Sequence, residues 1–238
     1  MHDALQQSLI SVQDEVRAAF GLSEEADAES AIALLEFLKD HDLWTSYHRR
    51  QTLTELRSSL QNASRIVIIG AAVEKSEIED SFLPGDTYVA ADGAVGALDS
   101  YENLACVVSD FDGGEHLHKA ACSGQTIVAH AHGDNLPGWQ NCLNKWQELS
   151  LPPSLVPSHQ TNRLFPEMYN FGGFTDGDRA LCMVLSCGVA AEKIHLIGFA
   201  ANRVGTWSGA TVRVQKLLKL KWMERILSEL GFAKFVRK

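Results

Sequence analysis

The 238-residue chain has no long apolar run, no paired cysteine motif and no surplus of basic residues. Each lack excludes something. Without a run of some twenty apolar residues there is no segment to span a bilayer, and the opening MHDALQQSLI lacks the basic region and apolar core of a signal peptide. Its five cysteines (Cys106, Cys122, Cys142, Cys182 and Cys187) form an odd set with no C-x-x-C pair. Neither a disulfide framework nor a zinc knuckle is indicated, and a reducing cytoplasm fits best. With 21 Lys and Arg against 30 Asp and Glu, the net charge of -9 opposes a nucleic-acid partner, which would need a cationic face. A small anionic ligand stays compatible, because a bound divalent cation offsets local negative charge. A homo-oligomer is left open.

Proline is absent and glycine nearly so from residues 1–62, where Gly21 stands alone. Apolar residues there recur at helical spacing, as in Ile32, Leu35 and Leu38, which predicts a helical N-terminal region. Residues 30–60 read either as one long helix or as two, broken near His41-Asp42. After Ser64 the texture changes to short β-rich runs ending in glycine or acid: 66–70, 87–93, 104–114, 125–134 and 193–199. Helical patterns follow or separate them, clearest at 139–149, 177–187 and 211–230. The Pro-containing stretch 151–157 reads as a loop. Interleaved strands and helices predict an α/β body over 63–238, a largely parallel sheet with helices on both faces. Ligands of such sheets sit at the carboxyl ends of the strands, where this chain's unusual polar residues fall.

Three motifs carry the chemistry. In Ser109-Asp110-Phe111-Asp112-Gly113-Gly114 two carboxylates, two residues apart, project to one side of an extended chain before a tight turn, which suits a hard divalent cation. A polar turn alone would explain a lone D-x-D-G-G. In His130-Ala131-His132-Gly133-Asp134-Asn135 two histidines share a strand face, with an acid and an amide just beyond; they can ligate metal, bind phosphate or shuttle a proton. In Asn170–Ala180, Thr175 and Asp178 form an acidic variant of a capping box. The helix it opens offers free N–H groups to an anion, Arg179 can grip a phosphate, and Gly172-Gly173 let a ligand approach the backbone. Asp92 and Gly70 also end strands, although the segment from Gly70 matches neither G-x-G-x-x-G nor the P-loop. Lys216, Lys219 and Lys221 could meet phosphate, but a solvated cationic face is the simpler account.

Taken in order, AADG (90–93), SDFDG (109–113), HAHGDN (130–135), the polar residues near Gln160-Thr161 and NFGGFTDGDRA (170–180) resemble the archaeal-type 6-hydroxymethyl-7,8-dihydropterin pyrophosphokinase family. The resemblance covers roughly residues 64–221, and HAHGDN and GFTDGDRA are its most specific parts. It implies a fold related to the thiamin pyrophosphokinase catalytic domain. The implied reaction transfers diphosphate from ATP to the pterin alcohol, releasing AMP, with Mg²⁺, in folate or methanopterin synthesis. On this resemblance Asp110 and Asp112 hold the metal, with Asp176 and Asp178 completing or orienting its site. Arg179 and His132 stabilise the transferred group, and His130 is a candidate base. Gly70, Asp92, Asn135, Gly173, Thr175 and Lys216 contact nucleotide or substrate, and Asp134 or Asn170 is an alternative for the pterin edge. The chain departs from the family pattern after Gly70, where a G-x-G-P-S-like loop is usual, and at Ala200, where an acid often follows the late L-I-G strand.

Two other classes compete. A haloacid-dehalogenase-type phosphohydrolase needs Thr or Ser after D-x-D-G, where Gly114 stands, and a dinuclear metallophosphoesterase needs G-D-x-x-D and G-N-H partners that are missing. A non-catalytic nucleotide-sensing module is the third reading.

Overall fold

The computed structural model describes residues 2–209 and 212–237. Three helices come first: α1 (His2–Phe20), α2 (Glu24–Lys39) and α3 (Ser46–Asn62). The chain therefore breaks between α2 and α3, as the two-helix alternative has it. Ser23 caps α2 and Thr45 caps α3, each accepting a backbone N–H three residues on. Trp44 anchors the break by donating its indole N–H to the Pro153 carbonyl at 2.7 Å.

The remaining elements are β1 (Ile66–Ile69), α4 (Lys75–Ser81), β2 (Thr87–Ala91), β3 (Leu104–Ser109), α5 (Gly114–Cys122), β4 (Ile127–Ala131), α6 (Leu136–Trp146), β5 (Leu155–His159), α7 (Asp176–Ser186), β6 (Ile194–Ile197) and α8 (Arg213–Glu229). The C-terminal pattern read over 211–230 thus begins at Arg213; Thr211 itself lies outside the described residues. The stretch read as a proline loop becomes strand from Leu155 onward. Pro157 is tolerated because β5 is an edge strand, and its carbonyl still accepts from Tyr169 N at 3.1 Å.

All six strands are parallel, in the order β5-β4-β3-β2-β1-β6. Their apolar residues alternate between two cores, which explains why the runs read as continuously hydrophobic. Val67, Ile69, Val107, Ile127 and Ala129 face α2, α5 and α6, whereas Ile66, Ile68, Val108, Val128 and Leu196 face α3, α7 and α8. A third cluster seats Leu9, Val12 and Val16 of α1 against Phe174, Cys182 and Ile226. The sheet is built outward from β1 to β5 with its connections on one face. The chain then returns through α7 on the other face to lay β6 beside β1. Strand order reverses between β1 and β6, the position where such sheets open a crevice.

Candidate active site

The crevice forms at that reversal. About 540 Å³ of space, open to solvent, lies between the Gly70–Ala72 turn after β1, the Gly198–Ala200 turn after β6, Asp92 after β2, the start of α7 and Lys216 on α8. Its outer wall is the segment after β6, where Trp207 N donates to Ala71 O at 3.0 Å and its indole N–H to Val73 O at 3.3 Å. Gly205 is obligatory in this wall, since a Cβ there would fall 2.0 Å from the Ala71 carbonyl oxygen.

Four carboxylates meet at the floor. Asp92, Asp110, Asp112 and Asp176 each offer an oxygen within 4.8 Å of the others. Local backbone geometry makes this convergence. Asp92 adopts φ 46° and Phe111 φ 75°, left-handed conformations that are costly for residues with a Cβ. Phe111 turns its ring into the core beside Trp146, leaving Asp110 and Asp112 on the crevice side. Ser109 ties the two turns together: its hydroxyl donates to Asp92 and accepts from Phe111 N.

Such crowding costs free energy unless a cation relieves it. Burial, then repulsion from Asp176, Asp112 and Asp110, holds Asp92 far above the usual carboxylate range. Burial and the Asp110 charge push Asp176 up to about 8. Asp110 goes the other way. Burial works against its ionisation, but the His132 hydrogen bond and the charges of His132, Arg179 and Lys216 outweigh it, so it stays ionised. Its Oδ1 is nonetheless buried and accepts no hydrogen bond among the described residues. A buried, ionised, unpartnered oxygen among three further carboxylates fits a hard divalent cation, which takes oxygen ligands and leaves room for water and phosphate.

Asp178, read from sequence as part of the metal set, is not among these four. It is fully buried, and its carboxylate accepts from the backbone N–H groups of Phe174 and Thr175 and from the Thr175 hydroxyl at 2.9 Å. It builds the capping box that starts α7 and so aims Asp176 and Arg179. Gly173 has a related local duty. At φ 84° it passes so close to α7 that a Cβ would sit 2.8 Å from the Arg179 backbone, so the turn rather than ligand approach accounts for it.

The second motif divides into two roles. His132 Nε2 lies 3.4 Å from Asp110 and its Nδ1 2.6 Å from Asp134. Burial disfavours its cation, but hydrogen bonds to these two acids prevail and raise its pKa to about 9. His130 is 2 % exposed, with both ring nitrogens engaged, Nδ1 by Ser158 at 3.0 Å and Nε2 by Gln160 at 3.4 Å. Burial and the neighbouring Arg179 and His132 charges keep it neutral. Asn135 also turns inward. Its amide accepts from His132 N and donates to the carbonyls of Asp110 and His130, so it ties the β3 and β4 ends together. Asn170 joins α1 in the same way, through Gln13.

Arg179 is 5 % exposed; one guanidinium nitrogen lies 3.5 Å from Asp176 and the other donates to Gln160 Oε1 at 2.7 Å. Residues with no motif of their own complete the surroundings: Trp207 and Arg203 in the crevice wall, and Asp27 and Arg17 reaching in from the N-terminal helices. Nothing local marks Asp27 in the sequence. Among the described residues no helix is long and apolar enough to cross a membrane.

Fold and site together define a parallel α/β protein with an acidic, cation-ready ligand crevice at its topological switch point. The chain belongs to the 6-hydroxymethyl-7,8-dihydropterin pyrophosphokinase family. It is 33% identical over 227 residues to the protein of that name from Pyrococcus furiosus, covering 91% of each chain. A second protein of that name, from Methanothermobacter thermautotrophicus, is 33% identical over 192 residues, 79% of this chain and 75% of its own. A third, from Methanocaldococcus jannaschii, is 28% identical over 188 residues, 78% of this chain and 75% of its own. No protein-family model and no solved structure matches the chain.

Proposed function

We propose that this chain transfers diphosphate from ATP to the hydroxymethyl group of 6-hydroxymethyl-7,8-dihydropterin, giving the pterin diphosphate and AMP, in folate or methanopterin synthesis in the cytoplasm. Residues 63–238 are the catalytic body and residues 1–62 its helical cover. The observation that carries this reading is the convergence of Asp92, Asp110, Asp112 and Asp176 beside Arg179 and Lys216, in a chain 33% identical to a named pterin pyrophosphokinase over 91% of its length.

The substrate oxygen forms a bond to the β-phosphorus, the bond from that phosphorus to the oxygen bridging the α-phosphate breaks, and the hydroxyl proton leaves. The work of the protein is placement and charge. Mg²⁺ held by Asp92, Asp110, Asp112 and Asp176 would neutralise charge on the phosphates. Lys216 and Arg179 flank this floor as fixed cations. His132 holds Asp110 and Asp134 through its two ring nitrogens, so its part is to fix Asp110 and add positive charge beside the floor rather than to act as a base. With His130 enclosed, the proton leaves through solvent in the crevice or through a floor carboxylate.

The test is incubation with ATP, Mg²⁺ and the reduced hydroxymethylpterin, followed by identification of both products. AMP and a pterin diphosphate support the reading. ADP or free phosphate without pterin diphosphate would overturn it.

A further inference from the structure

We propose that Asp27, on α2, is a positioning residue for the reaction: through Gln160 it fixes the orientation of the Arg179 guanidinium and the tautomer of His130. This rests on the role given to Arg179 above. Asp27 is 2 % exposed and lies outside the carboxylate floor, yet it is a centre of hydrogen bonding. It accepts Gly133 N at 2.8 Å and the Gln160 side-chain amide at 3.0 and 2.9 Å on its two oxygens, and Arg17 lies 3.7 Å away. Arg17 also donates to the Gln160 backbone carbonyl at 2.8 Å, so α1 and α2 hold Gln160 from both ends.

Donor and acceptor chemistry then dictates the rest. An ionised carboxylate only accepts, so it binds the NH₂ end of the Gln160 amide and turns Oε1 the other way. A guanidinium only donates, and Arg179 meets that Oε1 at 2.7 Å. The same oxygen faces His130 Nε2 at 3.4 Å and can only accept, which places the imidazole proton on Nε2 and leaves Nδ1 to accept from the Ser158 hydroxyl. Every group in this chain has one allowed polarity, and the Gln160 amide is fixed from its two ends, by Asp27 at the NH₂ group and by Arg179 at Oε1. Removing the Asp27 charge allows the Gln160 amide to flip, which would turn an NH₂ group against Arg179 and release the guanidinium from its place beside Asp176.

The experiment compares wild type, Asp27→Asn and, as a second route should that variant fail to fold, Gln160→Met. Two readouts are taken: steady-state kinetics of pterin diphosphate formation and the ¹⁵N shifts of the His130 ring. We expect wild-type His130 to show the Nε2–H tautomer. Either variant should move it to a mixture, lower kcat at least tenfold and change the KM for ATP less than threefold. In an Arg179→Lys background, Asp27→Asn should cost less than twofold, because its effect passes through Arg179. An unchanged His130 signature with unchanged kcat, or an equal loss from Asp27→Asn in both backgrounds, overturns the proposal. The two readings fail separately. If wild type forms no pterin diphosphate but the His130 tautomer still shifts in the variants, the reaction assignment fails and the relay stands.

Discussion

His132 and Asp110 face each other across the carboxyl ends of β4 and β3, with Nε2 3.4 Å from Oδ2. The pair couples folding to pH. The folded pKa of His132, about 9, lies above that of an unfolded imidazole, about 6.5. The native state therefore holds an extra proton between those values, and the stabilisation is complete below pH ~6.5 and lost as pH rises through about 9. In metal-free protein, His132→Gln should be less stable than wild type by about 1–3 kcal/mol at pH 6. That gap should close by pH 9.5, as read from denaturant midpoints. A gap independent of pH would show that the pair does not titrate in this way.

Divalent cation should stabilise the fold. At a hundred times its Kd, a ligand of the native state adds about 2.7 kcal/mol, roughly 5–10 °C in Tm for a chain of this size. Wild type should gain this shift with Mg²⁺, and Asp110→Asn should lose most of it. The assignment of the floor fails if thermal melts of the two proteins respond equally.

Two neighbouring acids on α7 should behave oppositely. The folded pKa of Asp176, about 8, lies above its unfolded value, so in metal-free protein stability declines as pH climbs towards 8. Asp176→Asn should therefore raise the metal-free Tm at pH 8 while abolishing diphosphate transfer. Asp178→Ala removes a buried cap and should cost about 1–2 kcal/mol or more, while its Mg²⁺ response falls less than that of Asp176→Asn. Matched behaviour of the two variants in melts with and without Mg²⁺ would contradict the division of labour between them.

The crevice wall is testable at Gly205. Adding one methyl drives it into Ala71 O, so Gly205→Ala should displace the turn after β1. We expect the KM for ATP to rise at least tenfold while the Mg²⁺-dependent Tm shift survives. Unchanged nucleotide kinetics would place the nucleotide elsewhere.

Much of the architecture is legible in the sequence because parallel strands buried on both faces must be apolar throughout, as Ile66–Ile69 and Leu104–Val108 are. β5 is not, since Pro152, Pro153 and Pro157 signal a loop and only its place at the sheet edge makes a strand compatible with proline. Site legibility divides along similar lines. Asp110, Asp112 and Asp176 stand in motifs whose spacing announces them. Asp178 and Asn135 stand in the same motifs but satisfy backbone groups, a distinction that only the direction of their hydrogen bonds reveals. Asp27 is invisible to any local pattern, because its significance comes from Gln160, which folding brings to it from 133 residues away.

The pairing of β1 with β6 sets an order on synthesis. Ile66 waits for Ile194, so throughout translation of the intervening chain one edge of a wholly apolar strand has no partner. Emerging chains would be most prone to associate with one another over that interval. Since the crevice opens along this same seam, a ligand bound there would report completion of the last strand. Recovery of nucleotide affinity during refolding should trail recovery of helical signal.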